Sequence, residues 1–364
     1  MGIAHKRKTK RNMKIALMTI WHVKNYGAEL QTYATVKTLQ EMGHDVCVID
    51  YRLFEKQKRT SIVGKILDFA HDLAPENIKF ENFWKKHIPS TKHYTSYDKL
   101  KKDVPDVDLY LVGSDQGWNP EITKEKALAY FLDFVPAGKP MASYAPSFGT
   151  DKWNGTDELT PKVQERLSAF KGVSCREKQG VDILKEQFAI TVQQVLDPSL
   201  LRTSYTELTG KIKTKNTLAY YQLRESPLLS AFAQRIASKM GLEYVNVNKK
   251  TKLTSSFLWN RCSVEQWIKA IAEASFVITH SFHGLAMSLV HHRPFVVVYE
   301  KGGRISRIAS LLNIVGLGDR LFTSIEAAEA SDIWQKEIDW NKVDSLLQTQ
   351  RDISMEYLTT ITSK

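Results

Sequence analysis

The chain has 364 residues, 43% hydrophobic and 25% charged, with a formal net charge of +11. That length exceeds one average domain and the composition is ordinary for a globular protein, so two domains are expected. No run of 18 apolar residues exists, which excludes a transmembrane helix, and Cys47, Cys175 and Cys262 have no spacing suited to zinc or a redox pair.

The charge is concentrated at the start. Lys6, Arg7, Lys8, Lys10 and Arg11 precede Asn12, and removing those five from +11 leaves +6. Residues 1–12 read as a solvated basic tail. Their functional counterpart would be attraction to an anionic membrane surface or a phosphorylated substrate. Nucleic-acid binding lacks any accompanying motif, and no nucleic-acid partner is expected. The stretch "IALMTIW" is too short for a signal peptide and is followed at once by His22 and Lys24, so a cytoplasmic location is expected.

Residues 14–20 read as a buried strand. The loop "WHVKNYGAEL" leads into a helix carrying Leu30, Ala34, Leu39 and Met42, closed by Gly43. "DVCVIDYR" is the next strand and completes a βαβ unit. Residues 54–105 read as a charged excursion from the sheet, with helices near 61–72 and 77–87. "VDLYLVGSDQGWNP" and "KPMASYAPSFG" are strand-then-loop segments. "GVSCREKQGVDILKEQ" is strand, turn and helix, and "TVQQVLDPSLL" is a strand stopped by Pro198.

The polar stretch 203–215 marks a boundary. A second series follows: strand "TLAYYQL", helix 227–240, strand "EYVNVN", helix 263–273, strand "SFVITH", helix 284–292 and strand "FVVVYE". Residues 331–364 read as amphipathic helix that crosses back onto the first domain. The expected architecture is α/β: two Rossmann-like domains, 13–205 and 206–330, facing across a cleft. Ligands of open parallel sheets bind outside the carboxyl ends of the strands, and the polar clusters fall there.

Those clusters supply the candidate site. Asn25, Tyr26 and Gly27 lie between the first strand and its helix, where phosphate loops often sit. Ser114, Asp115 and Gln116 follow the "LYLV" strand. Glu29 starts a helix; Glu29, Asp115 and Asp197 are each acids, bases or caps, capping being the commoner role. Arg176 follows "GVSC" and suits bidentate recognition of carboxylate or phosphate, or an ion pair with Glu177. In "THSFHGLAMSLVHH", His283 sits just before a helix whose N-terminus attracts anions, with Ser281 before it and Gly284 allowing close approach. His280 reads as structural. The loop "YEKGGRISR" offers Lys301, Arg304 and Arg307. There is no G-x-G-x-x-G, no P-loop and no metal motif, so no cofactor and no metal site are expected.

Taken together, "NYGAELQTYA", "VGSDQGWNP", "SYAPSFG", "SCREKQGVDIL", "VLDPSLL" and "THSFHGLAMSLVHHRPFVVVYEKGGR" resemble the polysaccharide pyruvyl transferase family, in family order from about residue 14 to residue 320. The resemblance implies a GT-B-like fold and transfer of the pyruvyl group of phosphoenolpyruvate to a sugar of a bacterial surface polysaccharide or its precursor. A pyruvate ketal forms and phosphate is released. It implies His283 as the essential histidine, general acid or partner of the leaving phosphate, with Arg176 and Lys301 as anion clamps. Asp115 or Glu29 would accept the sugar hydroxyl proton. Many members have arginine where this chain has Ser281; others share "SFHG", and Arg304 or Arg307 would then carry that charge.

The acceptor stays open between a lipid-linked repeat unit, a free polymer and a nucleotide sugar; the first would suit peripheral association with the inner membrane face. Two other readings compete: a GT-B glycosyltransferase using a nucleotide sugar, and a non-enzymatic binding protein docked through its basic tail.

Overall fold

A computed structural model describes residues 12–55, 60–224, 226–248, 251–252, 259–299 and 305–363. The N-terminal half is built on five parallel strands in the order β3-β2-β1-β4-β5. These are β1 (Lys14–Met18), β2 (Asp45–Asp50), β3 (Ser90–His93), β4 (Leu109–Val112) and β5 (Met141–Ser143). The short strands β6 (Ser174–Cys175) and β7 (Gln193–Gln194) pair with each other, and a single bridge from Ala142 to Gly172 joins them to β5. Beyond Lys14, β1 is buried throughout. A strand covered on both faces has no solvent side to reward polar alternation, hence the unbroken run Ile15-Ala16-Leu17-Met18.

The C-terminal half repeats the plan. Strands β8 (Thr217–Tyr221), β9 (Glu243–Asn246), β12 (Phe276–Thr279), β13 (Phe295–Val298) and β14 (Leu321–Phe322) form a parallel sheet in the order β14-β13-β12-β8-β9. A small antiparallel pair, β10 (Thr251–Lys252) with β11 (Trp259–Asn260), comes between β9 and β12 in the chain. The protein is therefore α/β, with two Rossmann-like halves in a GT-B-like arrangement. Strand order reverses between β1 and β4 in one half and between β8 and β12 in the other. Parallel sheets open a crevice at such reversals, and here the two crevices face each other.

The helices used below are α1 (Tyr26–Glu41), α2 (Ile62–Asp72), α3 (Pro75–His87), α4 (Pro198–Leu201), α5 (Pro227–Lys239), α6 (Val264–Glu273), α7 (Phe282–Val290), α8 (Ile305–Ile314) and α9 (Trp340–Ile361). Three details depart from the sequence reading. The segment 54–105 is not wholly outside the sheet, because its polar stretch "STKH" forms the edge strand β3. An edge strand has one solvent side and needs no apolar run. Helix α7 begins at Phe282 rather than after His283, since the Ser281 hydroxyl caps the Gly284 N–H at 3.4 Å. The last long helix begins at Trp340, capped by Asp339 on the Lys342 N–H at 3.0 Å.

That last helix packs on the N-terminal half. The Leu196 N–H donates to Ser354 Oγ (2.9 Å), the Tyr357 hydroxyl donates to the Ser143 carbonyl (2.9 Å), and Arg351 Nε donates to the Leu200 carbonyl (2.8 Å). A second tie joins the halves near α1. The Tyr26 ring stacks on Trp267 of α6 (5.3 Å), and its hydroxyl donates to the Cys262 carbonyl (2.9 Å). The Arg261 guanidinium lies over the Tyr26 and Phe80 rings and 2.9 Å from the Glu76 carboxylate, with both charged side chains buried. Removing one partner of a buried pair strands the other charge. Glu76→Ala is therefore expected to cost about 3–5 kcal/mol in urea-induced unfolding.

Candidate active site

The facing crevices enclose a cleft of about 430 Å³. The N-terminal half lines it with Asn25 and Ala28 after β1 and with Asp115 and Gln116 after β4. The C-terminal half contributes Leu223, Arg224 and Ser226 after β8, His280 to His283 after β12, and Tyr299 and Arg307 beyond β13. The helices α1, α5, α7 and α8 all present their first turns or N-terminal caps here. Four sets of N-terminal amides and two arginines make the cleft a place for an anion.

His283 stands where the two halves meet. A Cβ built on Gly27 would lie 2.1 Å from its Nδ1, so only glycine leaves room for the ring at that point of α1. The opposite nitrogen, Nε2, is 3.7 Å from Asp197 Oδ1, an ion-pair distance. Asp197 is the N-cap of α4. Its Oδ1 accepts from the Ser199 N–H (2.9 Å) and hydroxyl (2.6 Å); its Oδ2 accepts from Ser114 Oγ (2.9 Å) and Arg176 Nη1 (2.6 Å). Burial alone would raise the pKa of this carboxyl, but His283, Arg176 and Ser199 together hold it well below the usual carboxylate range. Asp197 is therefore a fixed negative charge behind the histidine.

Arg176 does not line the cleft. Its side chain is buried, paired to Asp197, 3.7 Å from Glu177, and stacked under Phe282 with its guanidinium 4.6 Å from the ring centroid. Glu177 Oε1 in turn accepts from Ser147 Oγ (2.8 Å) and the Phe148 N–H (3.1 Å). The strand-end clusters thus sort into two layers. Asn25, Asp115, Gln116, Ser281 and His283 face the cleft, while Ser114, Arg176, Glu177 and Asp197 form a buried network behind it.

Other candidates are placed as follows. Tyr26 is buried in the tie between the halves, away from the cleft. Gly284 is open to no ligand: a Cβ there would meet Thr279 Oγ1 at 2.6 Å and Tyr221 at 3.0 Å, so the glycine serves helix–strand packing. Glu29 is fully buried beneath the loop after β1, where Oε1 accepts from the Val23 N–H at 3.0 Å. Burial pushes its carboxyl well above the usual range. Asn25 is the exposed cap of α1, accepting from the Gly27 N–H at 2.9 Å. Lys301 and Arg304 lie outside the described residues.

Asp115 has φ 74° and ψ −178°, a conformation that favours glycine. A bridge to Pro146 and a hydrogen bond from the Ser147 N–H to the Asp115 carbonyl (2.9 Å) hold it. No described residue hydrogen-bonds its carboxylate, which faces the cleft. Strain of about 1–3 kcal/mol persists only where surrounding structure imposes it.

One cleft residue escaped the sequence reading. Arg224 lies at the end of "YYQLR", where a basic residue after a strand is the available signal. Asp197 was read as an acid, a base or a cap, but its pairing with His283 was not legible, because that partner comes from the other half. His280 takes a more defined place than "structural" conveys. The Leu223 N–H donates to its Nε2 (3.1 Å), which puts the ring proton on Nδ1. Burial, then the neighbouring Arg224 charge, lowers its pKa to about 4. Among the described residues no cluster of His, Cys, Asp and Glu is arranged to hold a metal ion, and no helix is long and apolar enough to cross a membrane.

Two expectations follow from this geometry. Gly27→Ala should lose as much activity as His283→Ala and be destabilised by about 1–3 kcal/mol in urea-induced unfolding, because the added methyl overpacks the buried imidazole. Above its ordinary pKa of 6.5, His280 is neutral in both native and unfolded chains. Below that value the unfolded chain takes up a proton that the native site refuses, so stability falls as pH drops toward 4. Between about pH 7 and about pH 4.5 the wild type should lose about 2 kcal/mol more than His280→Asn, read from denaturation midpoints.

A family model described as polysaccharide pyruvyl transferase matches residues 25–302. Among solved structures, the glycotransferase of kitacinnamycin is 8% identical, with 96% of this chain and 98% of that chain covered at a TM-score of 0.49. A putative UDP-N-acetylglucosamine 2-epimerase from Listeria monocytogenes is 15% identical, with 96% of each chain covered at a TM-score of 0.49. An alpha-glucosyltransferase in complex with UDP is 11% identical, with 95% of each covered at 0.46. Similarity at this level carries no functional weight. Comparison with curated proteins finds no match. The family match runs from the cap of α1 through the histidine helix to the end of β13, most of the chain, and the chain belongs to the polysaccharide pyruvyl transferase family.

Proposed function

We propose that the protein transfers the pyruvyl group of phosphoenolpyruvate to two hydroxyls of a sugar in a bacterial surface polysaccharide or its precursor. The product is a cyclic ketal and phosphate leaves. The observation that carries this reading is His283, held between Gly27 and Asp197 at the mouth of two facing helix N-termini. Phosphoenolpyruvate has a carboxylate and a phosphate, and this cleft is lined by N–H donors, Arg224 and Arg307.

The chemistry requires one proton in and two protons out. The methylene carbon C3 gains a proton and C2 becomes electron-poor. A sugar hydroxyl oxygen bonds to C2 and loses its proton. The C2–O bond to phosphate then breaks, phosphate leaves with the electron pair and takes up the proton of a second sugar hydroxyl, whose oxygen bonds to C2. With Asp197 facing Nε2, the mobile proton of His283 sits on Nδ1, beside Gly27. That nitrogen delivers the proton to C3 or meets the departing phosphate. Asp115, with its carboxylate open to the cleft, receives the sugar hydroxyl proton. Arg224, Arg307 and the α7 amides hold the anionic groups where charge develops; Lys301 and Arg304 join them by sequence position. Arg176 acts on the donor only through Asp197. Glu29 holds the loop after β1 rather than a proton in transit.

The acceptor is a glycan, with a lipid-linked unit at the inner membrane face as the form that best suits the basic chain. The test is calorimetric titration of phosphoenolpyruvate into the wild type, His283→Ala and Arg224→Ala. Binding by the wild type, weakened about tenfold or more in Arg224→Ala, is expected from loss of one charge-assisted contact. Heat on titration with a nucleotide sugar, and none with phosphoenolpyruvate, would overturn the reading in favour of glycosyl transfer.

A further inference from the structure

Helix α2 is amphipathic in the wrong sense for a helix on a protein surface. Ile62 (78% exposed), Ile66 (62%) and Phe69 (66%) stand at helical spacing on one stripe, continued by Leu73 just past the helix end, with Val63 beside it. All five are exposed, among nine large apolar side chains so exposed in the described residues. The opposite face turns inward. Gly64 is buried, Asp68 is half-buried, and Asn77 of α3 bonds the His71 ring at 3.0 Å. The platform beneath is firm, since Phe80, Phe83 and Trp84 of α3 are in the core. A helix normally buries its apolar stripe; this one leaves the stripe in solvent, where it is open to an outside partner.

We propose that the apolar stripe of α2 docks the protein on an anionic lipid surface. The charge pattern selects that partner. Lys56, Lys58 and Arg59 immediately precede the helix in sequence, exposed Lys65 flanks the stripe, and the whole chain carries +11. A helix with exposed Ile and Phe on one face, Lys65 beside them and a basic run just before it in the sequence fits a membrane interface. There apolar side chains enter the acyl boundary and cations meet lipid phosphates. The surface lies two packing steps from the cleft. Helix α3 carries Trp84, which stacks at 3.6 Å on His22 in the loop that ends at Asn25. Docking does not depend on the donor chemistry proposed above; only its use, presenting the cleft to a lipid-borne glycan, rests on that reading.

The test is flotation of the full chain with vesicles of phosphatidylcholine alone and of phosphatidylcholine mixed with phosphatidylglycerol, with no substrate present. The wild type should float with the mixed vesicles, and Ile66→Glu/Phe69→Glu should weaken this by about 100-fold or more. Deletion of residues 1–12 should leave most of the binding in place. Phosphoenolpyruvate titration of the Ile66→Glu/Phe69→Glu variant should match the wild type, which separates failure of docking from failure of the donor reading. The proposal is overturned by absence of vesicle binding in the wild type, or by loss of binding on deleting the tail with none in the double variant. A dimer in light scattering that the double variant dissolves, with no vesicle binding, would equally overturn it and make the stripe an interface between copies.

Discussion

The site depends on one buried charge, Asp197. It belongs to the N-terminal half, is neutralised there by Arg176 and Ser114, and reaches across to His283 of the C-terminal half. A carboxylate with no solvent needs this many donors to stay ionised. Because it stays ionised, the imidazole opposite has a reason to turn Nε2 toward it. The same contact couples architecture to chemistry: any change in how the halves sit alters the distance from Asp197 to His283.

The remaining interface keeps that distance. Gly27 meets the other edge of the imidazole, Phe282 covers Arg176, and the Tyr26–Trp267 stack with the Arg261–Glu76 pair ties the first loop to the second half. These are short-range, shape-dependent contacts in a close-packed interior, where small displacements are costly. The cleft itself is lined by helix N-termini, Arg224 and Arg307, groups that interact with charge. It is a rigid frame around an electropositive hollow.

Much of the fold was readable because parallel strands covered on both faces are continuous apolar runs. "IALM", "LYLV", "FVIT" and "FVVV" are all such strands. The edge strand β3 was not readable, since "STKH" has no pattern to separate it from a loop. The runs around 174 and 193 were read as full strands, yet only two residues of each pair. In the site, the strand-end clusters pointed to the right neighbourhood, but depth was invisible. Nothing in "SCREK" distinguishes an arginine that meets a ligand from one sealed behind Phe282, and nothing in "NYGAE" separates a cleft-lining Asn25 from the interface residue Tyr26. Depth is set by partners distant in sequence, and a local pattern holds no record of them.

The final helix has a consequence for how the protein is made. Ser354 hydrogen-bonds the Leu196 N–H, one residue before Asp197, and Arg351 bonds the Leu200 carbonyl at the end of α4. The segment that carries the key carboxylate is therefore completed by residues that leave the ribosome long after it. Domains synthesised first commonly fold first, but this N-terminal half lacks one covering layer until residues 340–361 have been made. During synthesis its β7–α4 region presents unfilled backbone partners. A nascent chain stalled before residue 340 would carry a nearly whole sheet and an unfinished wall behind the cleft.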